Sequence, residues 1–419
     1  MQKRFIDIMA PAGSYESLMA ALHAGASSVY FGVEQLNMRA RATNNFHLED
    51  LPKIAAICKK EKVKTYLTVN TILYDHDIVL MKKICDAAKT AGIDAVIASD
   101  FAVLQYAQQI GQPVHISTQM NISNVESVRF FAQYADVLVL ARELTLSQIK
   151  EICEQIQKQN IRGPSGELVK IEVFVHGALC VAVSGKCYMS LATYNASANR
   201  GACLQNCRRS YKLTDDETGE ELVVDNKYIM SPKDLCTIGF VDKLIDAGIS
   251  VMKIEGRGKA PEYVATVTAA YKEAVESYFA GTYTQEKIQE WTKKLETVYN
   301  RGFWQGGYYL GKKLGEWSGA YGSQATKEKK YLGTAKNYYP KAKIAHFVLE
   351  AGEIKTGDEI IITGPTTGVV QTTIDELSVQ DKRAIIGKKG EEITFPLLQK
   401  IRKNDKLFVV KEKIAEKNA

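Results

Sequence analysis

For its first 260 residues the chain alternates two periodicities. Short apolar runs, read as strands, are followed by polar turns and then by segments with apolar residues at i, i+3 and i+4, the helical period. Phe5–Met9 leads into PAGSYESLMAALHAG, a helix ending at Gly25, and Ser28–Val33 follows. Thr65–Val69 precedes a helix containing LMKKICDAAKTAG, Ala95–Ala98 precedes FAVLQYAQQIG, Val114–Ser117 precedes VESVRFFAQYA, and Val137–Leu140 precedes LSQIKEICEQI. Lys170–Val175 runs into a cysteine-rich segment, and Val251–Ile254 precedes PEYVATVTAAYKEAVESYFAG. Eight such units predict an α/β domain over residues 1–280, a (β/α)8 TIM-like barrel rather than an open sheet. No Gly-rich dinucleotide fingerprint follows the first strand, which argues against a Rossmann fold.

The texture then changes twice. Residues 281–330 are helical and then rich in Gly and aromatics (NRGFWQGGYYLGKKLGEWSGAYG), which reads as a linker with local packing. From Tyr331 short β-rich runs such as KIAHFVLE, DEIIITG and KLFVVKE alternate with Gly, Asp and Lys turns. They predict a small all-β C-terminal barrel over 331–415. Charge follows this division. From Thr326 onward there are 18 Lys/Arg against 13 Asp/Glu, and before it 36 against 35, so most of the net +6 lies in the last quarter. That asymmetry suits an anionic partner such as RNA, and suits equally a Lys-rich solubilising surface.

No apolar run reaches the roughly 18 residues of a membrane span, and the start (MQKRFIDIMAPAG) has no apolar signal core, so a cytoplasmic protein is expected. In that reducing compartment a cysteine cluster points to metal or catalysis rather than disulfides. Five of the eight cysteines, Cys180, Cys187, Cys203, Cys207 and Cys236, lie within 57 residues. The first four read Cys-x6-Cys-x15-Cys-x3-Cys, with Arg200, Arg208 and Arg209 nearby. Four thiolates suit a [4Fe–4S] cluster. Zinc more often takes close pairs at both ends, and only Cys203 and Cys207 are close; inert buried thiols are the third reading. Cys236 could replace one ligand, while Cys58, Cys85 and Cys153 fall on apolar helix faces. In a (β/α)8 barrel the site lies at the C-terminal strand ends, which selects Asn70, Ser99, Gln119, Arg142, Glu143, His176, Glu255 and Arg257, with the cysteine insertion (177–236) at the same mouth.

The stretch Glu172-Val-Phe-Val-His-Gly-Ala-Leu-Cys180-x4-Gly185-x-Cys187-x-Met189-Ser190 resembles the signature of the collagenase-like peptidase U32 family. KIEGR (Lys253–Arg257), APAG (Ala10–Gly13) and HISTQMN (His115–Asn121) resemble it too, so the likeness spans roughly Ile6 to Gly307. The family name implies proteolysis, but no HExxH motif is present and no Ser-His-Asp or Cys-His arrangement can be argued from the local motifs. The chain looks most like the branch that makes 5-hydroxyuridine at the tRNA wobble position. That likeness implies oxygen-independent tRNA hydroxylation, a [4Fe–4S] cluster, prephenate as hydroxyl donor and a possible paralogous partner subunit. A collagenase-like peptidase, or hydroxylation of rRNA or another ring, is the alternative.

On the hydroxylase reading Glu172, His176 and Glu255 would manage protons. Arg257 and Lys253 would hold the two carboxylates of prephenate, and Arg39 and Arg41 would do the same or hold RNA phosphate. Asn70 and Gln119 would meet the uracil edge. Each has a plainer alternative. Glu172 can point into the barrel and pair with a Lys or Arg, and Glu255 and Arg257 can form a rim ion pair. His115 can be a hydrogen-bonded core residue, Asn70 and Gln119 can satisfy loop backbone, and FWQGGYY can be packing.

Overall fold

The structure, a computed structural model, describes residues 5–40, 45–209, 211, 213–222, 230–311, 316–318 and 322–413. Seven strands come first: β1 (Asp7–Pro11), β2 (Ser28–Phe31), β3 (Lys64–Val69), β4 (Ala95–Ala98), β5 (Val114–Ile116), β6 (Val137–Val139) and β7 (Lys170–Gly177). A short hairpin, β8 (Leu213–Thr214) and β9 (Glu221–Leu222), precedes β10 (Asp234–Cys236), β11 (Val251–Ile254) and β12 (Phe303–Gln305). Strands β1 to β7 pair in sequence, all parallel, and β11 pairs in parallel with both β1 and β7. The sheet therefore closes into the eight-stranded parallel barrel that the repeated units predicted.

The helices are α1 (Tyr15–His23), α2 (Leu51–Lys60), α3 (Ile78–Ala91), α4 (Phe101–Ile110), α5 (Val125–Ala132), α6 (Leu146–Lys158), α7 (Met189–Tyr194), α8 (Val241–Asp246), α9 (Pro261–Phe279) and α10 (Gln285–Glu296). Local chemistry sets their ends. The Ser14 hydroxyl caps α1 by accepting from the Ser17 N–H at 3.3 Å, and Thr145 and Gln148 form a reciprocal capping box on α6. Gly92, at φ 74°, ends α3 in the left-handed conformation that a side chain would disfavour. Barrel strands are buried on both faces. Ile8, Val29, Phe31, Leu67 and Val96 face the helices, while Met9, Tyr30, Tyr66, Ile97 and Val251 fill the interior.

The interior is not wholly apolar. Lys253 Nζ donates to Glu172 Oε1 at 2.7 Å, and both side chains are buried. Glu172 thus takes the barrel-interior role allowed for it above. Burial alone would raise its carboxyl, but the Lys253 ammonium and His115 more than offset this, and it stays ionised. His115 Nδ1 lies 3.7 Å from Glu172 Oε2, beyond hydrogen-bond range, and its ring packs on Tyr66 with centroids 4.3 Å apart.

Strand β10 adds antiparallel to β7, with Leu235 opposite Gly177 and Cys236 opposite His176, and β12 adds parallel to β10. The segment expected to link the domains packs into the barrel's own core through Trp291, Leu295, Trp304 and Tyr309. Its aromatic content is explained by that burial. The C-terminal domain is all-β, as expected. Its first strand, Lys327–Tyr339, starts four residues earlier than the texture change suggested and pairs antiparallel with Ile344–Leu349 and Lys406–Glu412. Its core holds Leu332, Phe347, Ile360, Phe395 and Leu407. This domain docks on α1 and α9. Gly368 approaches Met19 and Ala20 so closely that a Cβ would stand 3.0 Å from their backbone, and Lys329 pairs with Glu262 at 2.8 Å. Among the described residues no helix is long and apolar enough to cross a membrane.

Candidate active site

A cavity of about 480 Å³ opens at the C-terminal strand ends, under the cysteine-rich segment. Its charge is one-sided. Arg39, Arg142, Arg208, Lys253, Arg257, Lys259 and Arg301 line it, against Glu143 and Glu255. Three of these cations have carboxylate partners. Arg39 Nη2 lies 3.0 Å from Glu255 Oε1, Lys253 holds Glu172, and Arg301 donates from Nε to Asp234 Oδ1 at 2.8 Å. Burial works against the Arg39 charge, and Glu255 more than restores it. Arg208 donates instead to the Leu179 carbonyl at 2.6 Å.

The remaining three have neutral contacts only. Arg257 Nη1 donates to Thr68 Oγ1 at 2.9 Å, so the rim ion pair with Glu255 does not form; Arg39 takes that place. Arg142 donates to the Ala178 carbonyl at 3.0 Å and lies over the Phe174 ring at 3.8 Å. Lys259 Nζ sits 3.0 Å above the Tyr299 ring. Among the described residues none of these three has a carboxylate within ion-pair distance. Burial lowers all three, Arg257 to about 10, because the cost of desolvating each charge outweighs the attraction of the more distant Glu255 and, for Lys259, Asp234. The site is built to receive negative charge. Backbone space is shaped to suit: a Cβ on Gly32 would collide with the Arg257 guanidinium and stand 2.8 Å from Asn37 Cγ.

Asn70 and Gln119 come together in the lining of the same cavity. Asn70 Nδ2 donates to Gln119 Oε1 and Ser117 Oγ at 3.3 Å each, and Asn70 Oδ1 accepts from the Met38 N–H at 3.2 Å. Ser99 donates to the Asn70 carbonyl at 2.9 Å and holds the strand end. Glu255 Oε2 accepts from the Ala178 N–H at 3.3 Å. Burial would raise the Glu255 carboxyl, but Arg39, Lys259 and Arg142 hold it below the usual carboxylate range. As placed here it is an ionised acceptor.

Cys180, Cys187, Cys203 and Cys207 are free thiols, and all four line this cavity. The Cys207 thiol is pushed up by burial, drawn down by Arg208, and pushed up again by Cys180, Cys203 and Cys187, so the four share one electrostatic neighbourhood. Two buried atoms flanking Cys207, Asn206 Oδ1 and Arg208 Nε, have no partner among the described residues, and neither has Thr118 Oγ1, also in the cavity lining. Among the described residues no three His, Cys, Asp or Glu side chains group tightly enough for a single metal ion. In kind and number the four thiols, with cations beside them, fit an iron–sulfur cluster.

Several expectations are corrected. Cys236 is not with the other four. On β10 it is buried in the core, its thiol pushed up to about 12 by burial, with Tyr271 beside it. His176 does not face the cavity. It packs against the rings of Tyr263, Tyr271 and Phe303, and burial lowers it to about 3, leaving a neutral imidazole. The register between β7 and β11 slips at Lys253/Ile254, which breaks the simple alternation that would have aimed it inward. Glu172 lies beneath the cavity, committed to Lys253, so neither residue is free to serve as a general base or as a carboxylate clamp. Arg41 lies outside the described residues. The sequence reading missed Lys259, although its place two residues beyond KIEGR and just ahead of Pro261 at the start of α9 was a usable signal.

Comparisons with known proteins agree on the family. The family model described as "Peptidase family U32" matches residues 13–319. A protein from Porphyromonas gingivalis named "Collagenase" is 56% identical over 402 residues, 96% of this chain and 97% of that one. The Bacillus subtilis "tRNA hydroxylation protein P1" is 30% identical over 88% of this chain and 87% of its own. The Escherichia coli "23S rRNA 5-hydroxycytidine C2501 synthase" is 34% identical over 65% of this chain and 39% of its own.

Proposed function

The chain belongs to peptidase family U32, and on that premise we propose that it hydroxylates RNA: an iron–sulfur-dependent, oxygen-independent enzyme forming 5-hydroxyuridine at the tRNA wobble position, with prephenate as hydroxyl source. The observation that carries the reading is the composition of one cavity. It brings together four cysteines and three cations, Arg142, Arg257 and Lys259, that have no carboxylate within ion-pair distance among the described residues. Relatives named for tRNA hydroxylation and rRNA hydroxycytidine synthesis support the RNA class.

In this reading Cys180, Cys187, Cys203 and Cys207 hold a [4Fe–4S] cluster, which when bound supplies the redox chemistry that no protein side chain provides. Arg142, Arg257 and Lys259 clamp a small polycarboxylate, the two guanidinium groups offering paired N–H donors to its carboxylates. Asn70 and Gln119 present amide groups to a pyrimidine edge, and Glu255, ionised between Arg39 and the Ala178 N–H, accepts hydrogen bonds from a base or sugar. A cytoplasmic site of action, tRNA as the partner and a paralogous second subunit complete the proposal.

The test is tRNA from a strain lacking this gene and any oxygen-dependent route to the same base, digested and read by mass spectrometry. Loss of wobble 5-hydroxyuridine, restored by the wild-type gene, is the expected result; an unchanged level refutes the reading. A peptidase is the second reading, carried by the relative named as a collagenase. It has to work without His176 and His115, since His176 packs outside the cavity and His115 lies in the barrel interior. Gelatin cleavage by the purified protein that survives removal of iron would favour it.

A further inference from the structure

The segments around the cavity mouth, its lip, carry exposed aromatic side chains. Tyr188 is 74% exposed, stands between the cavity-lining Cys187 and Met189, and its side chain makes no hydrogen bond or ring contact with any described residue. Tyr194, at the other end of α7, is 44% exposed and lies under the Arg209 guanidinium, 5.4 Å from its ring centre. Tyr74 is 53% exposed with Arg200 over its ring at 4.0 Å. The Tyr74 loop is tied to the cysteine segment, since the Ile72 N–H donates to the Asn199 carbonyl at 3.1 Å and Arg200 clasps Asp77. Tyr188, a large ring left in water with no partner among the described residues, contributes little to folding. With Tyr74 and Tyr194, each already stacked by an arginine, it makes a surface suited to flat, anionic, unpaired groups.

We propose that this lip is a base-stacking platform for the unpaired nucleotides flanking the reacting base, with Tyr188 as the central contact, so that the enzyme takes its substrate as a single-stranded RNA loop. The inference rests on the RNA-hydroxylase reading and adds to it the residues that hold the unpaired strand. Aromatic faces accept any base, so Tyr188 sets affinity for unpaired strands rather than sequence, while the cationic cavity behind it draws in the backbone. Paired RNA hides its base faces in the stack and has nothing to offer the ring.

Anaerobically purified full-length protein with its iron in place is titrated with an RNA hairpin carrying uridines in its loop, with a fully paired duplex of the same composition, and with a gelatin peptide. Wild type should prefer the hairpin. Tyr188→Ala should weaken hairpin binding by about five- to 150-fold, the loss of one stacked base, and raise KM more than it lowers kcat. Tyr188→Phe and Tyr188→Trp should bind like wild type. Iron content and melting temperature should be unchanged in all three, because the side chain is exposed. The platform is refuted if Tyr188→Ala binds the hairpin as well as wild type, if Tyr188→Phe is as weak as Tyr188→Ala, or if the gelatin peptide alone loses affinity, which would make the lip a peptide site. Wild type preferring neither hairpin nor duplex also refutes the platform, and the wobble-nucleoside assay then decides separately whether RNA hydroxylation stands.

Discussion

The Glu172–Lys253 pair gives the sharpest physical prediction. At 2.7 Å, with an effective dielectric of about 20, the Coulomb attraction is about 6 kcal/mol. Much of that offsets the cost of taking both ions out of water, so the pair adds little over an apolar replacement, while breaking it strands a charge inside the barrel. Glu172→Met should therefore destabilise by about 3–5 kcal/mol, and Lys253→Met by a similar amount. The double variant Glu172→Met/Lys253→Met should lie within about 1 kcal/mol of wild type, because thioether side chains of similar length fill the space without charge. Over a barrel of roughly 300 residues the unfolding entropy moves the Tm by about 1.6 °C per kcal/mol, so each single variant should melt about 5–8 °C lower. Circular dichroism against temperature and urea measures all three. Two additive single losses in the double variant would refute the reasoning, since they would mean that each side chain stabilises the barrel without the other.

Three further outcomes follow from the site. His176 is lowered to about 3, so the unfolded chain binds the extra proton between roughly pH 6.5 and 3; stability is full above that window and falls as pH drops through it. Wild type should lose about 2 kcal/mol from this residue between pH 7 and 5, seen as a lower urea midpoint, and His176→Phe should lack that loss. Gly32→Ala should abolish hydroxylation by displacing Arg257, at a cost of about 1–3 kcal/mol in stability, and activity retained with Arg257 displaced would argue against a carboxylate clamp. Cys207→Ser should reduce bound iron and visible absorbance, whereas Cys236→Ser should keep both; equal iron loss in the two variants would contradict the placement of Cys236 in the core.

The barrel was legible because parallel strands buried on both faces leave unbroken apolar runs, and Ala95–Ala98 and Val137–Val139 are nothing else. What lies inside it was less so. Lys253 and Glu172 read as site residues because charged groups at strand ends usually are; only the structure shows the Lys253 ammonium turned down from the cavity onto the Glu172 carboxylate. Cys236 read as a spare ligand because sequence distance cannot reveal that β10 turns back along β7. His176 was misplaced by one irregularity in strand pairing. The four remaining cysteines were placed at the mouth correctly, since their insertion follows a strand whose end had already been located. The unpartnered state of Arg142 and Lys259 had no trace in the sequence, because it depends on which acids their neighbours had already engaged.

The return of β10 onto β7 has a consequence for how this site can change. The cysteine segment leaves the barrel at Gly177 and re-enters opposite that same residue, at Leu235. Its two ends are therefore held together by the sheet whatever lies between them. Loop-closure entropy grows so slowly that doubling such an excursion costs only about 0.6 kcal/mol. The segment can lengthen, shorten or be exchanged without altering strand register, so the barrel and its cation clamp can stay fixed while the lip is refitted to a differently shaped substrate.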